Sequence, residues 1–499
     1  MADIITSPTL SHLIFLPIIG AILLLLLPLK KNKTIHWFSF LFSLIPFSFT
    51  IPIFLRFKPL QNIQFVEKQI WIKPFNIYYH IGIDGISILL VLLTNFLIPL
   101  VFLSSFKYIQ EHLKTYYISF FILQTGVIGS FLSLDMFLFY VFWELMLLPM
   151  YFIIGIWGGK RRIEAAIKFL IFTAFGSFLM FLSILYLVSF NYFQKNTLDF
   201  TIFSYYNIQL PHLAGVLCFF GFLLGFAIKV PMVPLHTWLP DAHTEAPAGG
   251  SIILAGILLK LGTYGLIRFL IPIFPKISLE YFPLLLILSV IGIIYGGLLS
   301  FAQDDFKKLI AYSSVSHMGF ITLGIFSLNF FALNGALLQM INHGLSTGAL
   351  FLLAGMLYER KHTRMMEDFG GIAKVIPTYT AFFIFVSLSS IGLPGLNGFW
   401  GEFLVLIGTF QEKKIFAILG ATGVVLSAVY LLTGIKKVFF GEIKFPENER
   451  FKDLDTREWI LLLCFSIPII WIGIYPKFFL SKISTSIEVY LNMIKGFLQ

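Results

Sequence analysis

Charge is scarce in this 499-residue chain. Only 12% of its residues are Asp, Glu, Lys or Arg, against the ~25% usual in a soluble domain. With 58% hydrophobic residues and a mean hydropathy of +0.90, a soluble globular reading is excluded. The chain reads as a polytopic membrane protein, to which length priors for soluble domains do not apply. Cysteine is almost missing. Cys218 and Cys464 both fall in apolar runs, which excludes a disulfide framework and a cysteine metal cluster. No Gly-rich phosphate loop, Cys-x-x-Cys pair or dinucleotide fingerprint occurs. The chain thus shows no visible means of redox chemistry, and no cofactor-binding or metal-ligating residue is assigned. The opening MADIITS has one acid and no base, unlike the basic start of a cleavable signal peptide. The net charge of +10 fits nucleic acid or an anionic lipid surface. The placement of the basic residues favours ordinary membrane orientation, with no nucleic-acid partner.

Long apolar runs are what the chain has. A spanning helix needs about 20 mostly apolar residues. Fourteen stretches qualify, near 10–29, 35–56, 82–106, 115–133, 135–157, 163–190, 212–230, 248–271, 282–301, 306–328, 332–357, 377–411, 415–438 and 458–475. The expected fold is all-α, with about fourteen transmembrane helices. Residues 61–80 alternate like a small extracytoplasmic β-hairpin. The tail, 476–499, spaces Phe478, Phe479, Ile483, Ile487, Tyr490, Leu491 and Ile494 like an interfacial amphipathic helix. One set of alternating loops, counting Lys30, Lys307 and Lys308, holds 20 of the 35 basic residues. The other, counting Arg268, holds 12. The excess marks the first side as cytoplasmic and puts both termini outside. The expected location is a bacterial plasma (inner) membrane.

Two spans are interrupted. Pro231 and Pro234 break the seventh within KVPMVP, and Pro394 with Gly395 breaks the twelfth within IGLPGLNGF. Interrupted spans in corresponding positions of two halves point to a transporter built from inverted repeats. The blocks are 115–271 and 282–438, preceded by helices 1–3 in 1–114 and followed by 439–499. Glu144 precedes Lys229 by 85 positions, and His317 precedes Glu402 by 85.

Six ionisable residues, Glu144, Lys229, Lys260, His317, His343 and Glu402, fall at one depth on six different spans. Glu144, nine residues past Asp135, lies about 13–14 Å into a hydrocarbon core of roughly 30 Å. Charges there are costly and mark ion paths by default. A buried lysine falls and a buried glutamate rises towards neutral titration, and histidine already titrates near neutrality, which suits a proton relay. Glu144 and Lys229 would titrate as a unit. Against this, any one of the six is also readable as a structural ion pair or a hydrogen-bonded core residue. Lys168 lies close enough to Arg162 to snorkel to the cytoplasmic face. His236, Asp241, His243 and Glu245, in the loop after the first break, are candidates for proton intake or for a hydrated turn. The two histidines lack metal-ligand i, i+4 spacing. Asp84, Asp135 and Glu164 sit at span ends, where capping and solvation suffice.

The runs DMFLFYVFWELMLLPMYFIIG from Asp135, KVPMVPLHTWLPDAHTEAP from Lys229, GILLKLGTYGLIRF around Lys260, LIAYSSVSHMGF from Leu309 and LPGLNGFWGEF from Leu393 carry a resemblance over nearly the whole chain. It resembles the antiporter-like proton-pumping subunits of respiratory complex I. Glu402, where relatives often carry lysine, and the end of the chain after span fourteen, without a lateral helix, narrow the resemblance to one branch. It implies fourteen helices with two inverted five-helix repeats. It also implies a Glu144–Lys229 pair, Lys260 as central relay, and Glu402 joined to the outside through His317 or His343. NADH, flavin, iron–sulfur clusters and quinone are expected in partner subunits. The other membrane-arm subunits, two of them homologous, are the expected partners. Rival readings are a subunit of a multi-subunit sodium/proton antiporter, a membrane subunit of a hydrogenase or formate-oxidising complex, and a structural scaffold.

Overall fold

The computed structural model describes residues 9–28, 31–59 and 63–499. The opening MADIITS, Lys30 and the start of the expected hairpin lie outside the described residues. Among them, 12 helices are long and apolar enough to cross a membrane. Two shorter apolar helices, Ile88–Ser104 and Pro377–Ile391, complete the fourteen expected spans. Burial sorts them. Ala248–Ile273 has its whole apolar window buried, and Phe306–Phe326 and Phe330–Lys361 have 94% of theirs. Asn32–Arg56 and Lys414–Phe439 have only 33% and face outwards. Lys260, His317 and His343 therefore sit on the three most enclosed helices, the eighth, tenth and eleventh.

Local chemistry sets the helix ends. Asp135 accepts from the backbone N–H groups of Phe137 and Leu138 and starts the fifth span. Asp305 does the same for the tenth and Asn329 for the eleventh. The fifth span splits at Met146 into Met136–Leu145 and Leu147–Trp157. Pro149 has no N–H to return to the Leu145 carbonyl, which accounts for the interruption. The seventh runs His212–Lys229, breaks across 230–237, and resumes as Trp238–Glu245. The Ile228 carbonyl at that break takes the indole N–H of Trp238 at 2.9 Å. Residues 236–247 are thus largely helix and mostly buried, not the open loop expected. The twelfth breaks across 392–396, where Gly392 and Gly395 take φ of +86° and +92°, and resumes as Asn397–Glu412.

The hairpin is present as Gln64–Ile72 and Ile77–Ile83, antiparallel, with Asn76 at positive φ in its turn. The tail forms the helix Lys477–Leu498 and buries Phe479, Ile483, Ile487, Tyr490, Leu491 and Ile494; Phe478 is partly exposed. That apolar face is covered by the chain itself. Ser484 donates to Asn334 at 2.8 Å, and Lys482 to the Phe57 carbonyl at 2.8 Å.

Three charged residues sit deeper than expected. Arg268, counted with the loops, is buried and ion-paired to Asp84 at 2.6 Å. Asp84 also caps the third span by accepting from Ile86 and Ser87, so it is not a solvated span end. Lys307, also counted as a loop cation, is buried and donates to the carbonyls of Thr244 and Ala246. Both cations stand at helix ends whose free carbonyls and carboxylates replace water.

One buried ion pair gives a direct stability test. Arg360 donates twice to Glu458, at 2.7 and 3.1 Å, and Glu458 is 2% exposed. Glu458→Ala strands the guanidinium and is expected to cost about 3–5 kcal/mol. Thermal unfolding of the solubilised protein checks this, with exposed Glu447→Gln as the control. An unchanged Tm for Glu458→Ala would show that Arg360 finds another anion.

Candidate functional site

Lys260 occupies the centre of the eighth span between two π-helical turns, Leu254–Leu258 and Leu266–Leu270. Such turns widen a helix locally and recur at functional sites. The Ala255 carbonyl, inside the first turn, accepts from Lys260 Nζ. On its other side Nζ lies 2.5 Å from His343 Nδ1 on the eleventh span. Among the described residues no carboxylate is ion-paired to Lys260, and the residue is wholly buried. The glycines of GILLKLGTYG allow this fit. A side chain at Gly262 would strike the Phe226 carbonyl at 2.7 Å and Val230.

From Lys260 the polar groups run on without a gap of more than one ring. The His343 and His317 ring centres are 5.7 Å apart. His317 Nδ1 donates to Glu402 Oε1 at 2.9 Å, and its Nε2 is 3.2 Å from Ser390 Oγ. Gln339 donates to the same Glu402 oxygen at 3.1 Å. Both histidines are in the line, where the sequence left a choice between them. Among the described residues, His343 Nε2 and Glu402 Oε2 are buried without a partner. A cavity of about 10 Å³ between His317, Gln339, Asn342, His343, Ser346 and Ser390 adjoins them. That is the size of one water.

The other half is looser. Lys229 ends the first part of the seventh span, 2% exposed, with Nζ 5.1 Å from the Trp143 ring centre and 5.8 Å from that of Phe169. Glu144 acts on it electrostatically, yet no ion pair within 4.0 Å joins them. Glu144 Oε1 has no hydrogen-bond partner. The pair expected to hold each other charged is therefore close but apart, while the second pair at the same sequence spacing touches.

The candidate intake residues separate into two groups. His243 is fully buried, stacked on Phe351 at 4.4 Å, and neither ring nitrogen has a partner. Its charged neighbours are Lys307 and Lys260. Glu245 accepts from the Arg161 backbone at 2.9 Å and lies 3.6 Å from Arg364. His236 is buried against Tyr295. Asp241 instead reaches the surface and holds Lys168 at 2.6 Å, so that lysine is paired and not merely snorkelling. A cavity of about 460 Å³, lined by Glu245, Lys307, Glu359, His362 and Arg364, opens beside this cluster. Lys307 was missed because its neighbours in sequence look like an ordinary cytoplasmic turn. Among the described residues, no three His, Cys, Asp or Glu side chains cluster closely enough to hold a metal ion.

Residues 133–428 match the family model described as NADH:quinone oxidoreductase/Mrp antiporter, TM. The chain belongs to that family. One similar member, NADH-ubiquinone oxidoreductase chain 4 of Marchantia polymorpha, is 44% identical over 96% of each chain. NADH-quinone oxidoreductase subunit M of Rickettsia conorii is 41% identical over 96% of this chain and 98% of its own. A chain of respiratory complex I from Thermus thermophilus superposes with a TM-score of 0.88 at 31% identity, covering 97% of this chain and 99% of that one. A chain of the Mrp complex from Dietzia sp. DQ12-45-1b shares the fold, with a TM-score of 0.84 at 18% identity. The six midplane residues of this chain divide into two touching pairs, Lys260–His343 and His317–Glu402, with the two histidine ring centres 5.7 Å apart, and a separated pair, Glu144 and Lys229.

A buried lysine with no anion in contact among the described residues is a burden on the fold. Replacing it by an apolar side chain of similar length is expected to stabilise by about 1–3 kcal/mol, as for other buried polar groups. Lys260→Met should therefore raise, or at least hold, the Tm of the solubilised protein. A clear fall would show that Ala255 and His343 compensate the charge.

Proposed function

We propose that this chain is the subunit M (chain 4) member of the membrane arm of NADH-quinone oxidoreductase, and that it moves protons along its midplane residues. The observation that carries the reading is the line of two hydrogen-bonded pairs, Lys260–His343 and His317–Glu402, whose histidine rings face each other at 5.7 Å, with three of the four residues on the most enclosed helices. Full-length relatives at 41–44% identity support the complex. The scaffold reading fits poorly. A fold needing only support has no use for an uncompensated lysine there.

The line works as a hydrogen-bonded relay. Each histidine has two ring nitrogens, so it takes a proton on one and releases another. A proton on Lys260 passes to His343 Nδ1, then from His343 to His317, with the roughly water-sized cavity adjoining both rings. Glu402 receives it from His317 Nδ1. On the other half, a shift of Glu144 towards Lys229 would hold that lysine charged, and withdrawal would favour release of its proton. His243, with Lys307 and the Glu245 cluster beside the larger cavity, would feed Lys260 from that face.

The finer points rest on the sequence. The blocks 115–271 and 282–438 act as inverted repeats, each with one broken helix, Pro231 and Pro234 in the first and Pro394 and Gly395 in the second. The excess of basic residues puts the face of Lys307 and Arg364 in the cytoplasm and both termini outside. NADH, flavin, iron–sulfur clusters and quinone belong to partner subunits. The neighbours in the membrane arm include two homologous subunits.

Inverted vesicles carrying the assembled complex test the reading. With Glu144→Gln or Lys260→Ala, NADH oxidation and NADH-driven acidification are both expected to fall about tenfold or more, the effect of ~1.4 kcal/mol in a barrier. Lys168→Ala removes a part-exposed pair and should change them by about twofold at most. Full activity of the first two variants would sink the relay. Untouched NADH oxidation with loss of sodium-driven proton exchange would favour a sodium/proton antiporter instead.

A further inference from the structure

A second large cavity, of about 390 Å³, lies at the opposite end of the eighth span from the Lys307 cluster. Its walls come from the hairpin, the start of the third span, the loop holding Tyr206 and the tail helix. The buried Arg268–Asp84 pair forms its inner wall. Among the described residues, two of its buried polar groups have no partner: the Tyr490 hydroxyl and His80 Nδ1, both under a tenth exposed. Burial first, then Lys68, with Asp199 opposing, pushes His80 down to about 4. Its ring is thus neutral near pH 7, and the pocket gains no second cation from it. Ser486, which accepts from the Gly85 N–H at 3.0 Å, lines the wall as well. The lining is mixed, with His80, Asp84, Arg268, Ser486 and the Tyr206 and Tyr490 hydroxyls set among apolar side chains, and a roomy site with unpartnered polar groups admits water.

One helix carries both the Lys260 of the relay and the Arg268 of this cavity. Lys260, Tyr264 and Arg268 follow at four-residue steps, about 6 Å of rise each. Arg268 Nε donates to the Tyr264 hydroxyl at 3.2 Å, and that hydroxyl donates to the Phe131 carbonyl at 3.0 Å. Arg268 Nη2 holds Asp84 Oδ2 at 2.6 Å. The guanidinium does not give up its proton. Asp84 can take one. The groups facing it are Arg268, Tyr264, Tyr206, Ser87, Ser486 and the neutral His80.

We propose that this cavity is a hydrated vestibule through which protons leave by the hairpin-side face, with Asp84 handing them to water and Arg268 as the latch. A proton arriving past Tyr264 binds the Asp84 carboxylate. The neutral acid loses its hold on Arg268. Asp84 then releases the proton to vestibule water, and the ion pair re-forms, which closes the path to backflow. Arg268 keeps its charge throughout, so one proton enters and one leaves. This exit is additional to the one expected through Glu402, and it rests on the proton-translocating reading above.

Two measurements on the assembled complex in membrane vesicles test it. The first places Met493→Cys, on the vestibule wall, in a chain with Cys218→Ala and Cys464→Ala, and adds a membrane-impermeant charged maleimide to either face. Labelling from the hairpin-side face alone is expected. No labelling from that face, as with a lipid-filled pocket, overturns the proposal. The second measures NADH-driven acidification. Asp84→Asn should slow it by about tenfold or more, the scale of a positioned proton-transfer group, and Asp84→Glu should restore most of it. Normal acidification by an assembled Asp84→Asn complex overturns the proposal. If Asp84→Asn does not assemble, Tyr264→Phe takes its place, with the same slowing expected and normal acidification again overturning it. Full acidification by Lys260→Ala would instead strike the underlying relay, whatever the vestibule shows.

Discussion

A lysine without an anion is the constraint on which this structure depends. Lys260 is buried at the centre of the most enclosed helix, and its ammonium rests on a carbonyl and an imidazole. Neither neutralises it. A charge in that setting stays only if surrounding structure holds its place. The π turn before it directs Ala255 towards Nζ, the third, fourth, seventh and eleventh helices pack around that stretch, and His343 completes its contacts. A carboxylate beside it would hold its proton fast. With no ion pair among the described residues, Lys260 is free to pass its proton on in the proposed relay.

The two halves solve the same problem differently. In the second, His317 and Glu402 touch, Gln339 steadies the carboxylate, and Asn342 ties the helix start after the break by donating to the Asn397 carbonyl at 2.7 Å. That arrangement is fixed. In the first, Lys229 faces aromatic rings and Glu144 keeps an unpartnered oxygen. The fifth span carries an interruption two residues beyond Glu144. A helix already broken there can shift a side chain with little loss of backbone hydrogen bonding. The separated pair is the half with room to change.

Much of this was legible in the sequence because it is local. Apolar runs mark the spans, and Pro231, Pro234 and Pro394 mark the breaks within a few residues. The alternation of 61–80 and the spacing from Phe479 to Ile494 mark the hairpin and tail face. The depth of six ionisable residues followed from counting along helices, and contacts along Lys260–His343 and His317–Glu402 agree with one depth for those four. What escaped is long-range or too fine for pattern. Arg268 and Asp84 meet across 184 residues, and each looks like a span end. Lys307 resembles a loop cation until the seventh span's second half folds against it. The π turns leave no trace in apolar periodicity beyond the run of glycines.

Those misplacements share one cause, and it bears on how the protein works. Counting basic residues by loop treats every terminal charge as solvated. Here two such charges, Arg268 and Lys307, are drawn inward at opposite ends of the enclosed core, each beside a large cavity. Lys307 meets carbonyls at the end of the short helix that carries His243. Arg268 meets a carboxylate two turns beyond Lys260. One cation is left without a neutralising partner in contact, and the other is latched. A path bounded by an uncompensated cation at one end and an ion pair at the other is asymmetric by construction. Protons near Lys307 are repelled towards groups that can accept them, and protons near Arg268 must first displace its carboxylate. If protons cross as proposed, direction is set by which end is harder to re-enter, and the Arg268–Asp84 ion pair makes the hairpin side that end.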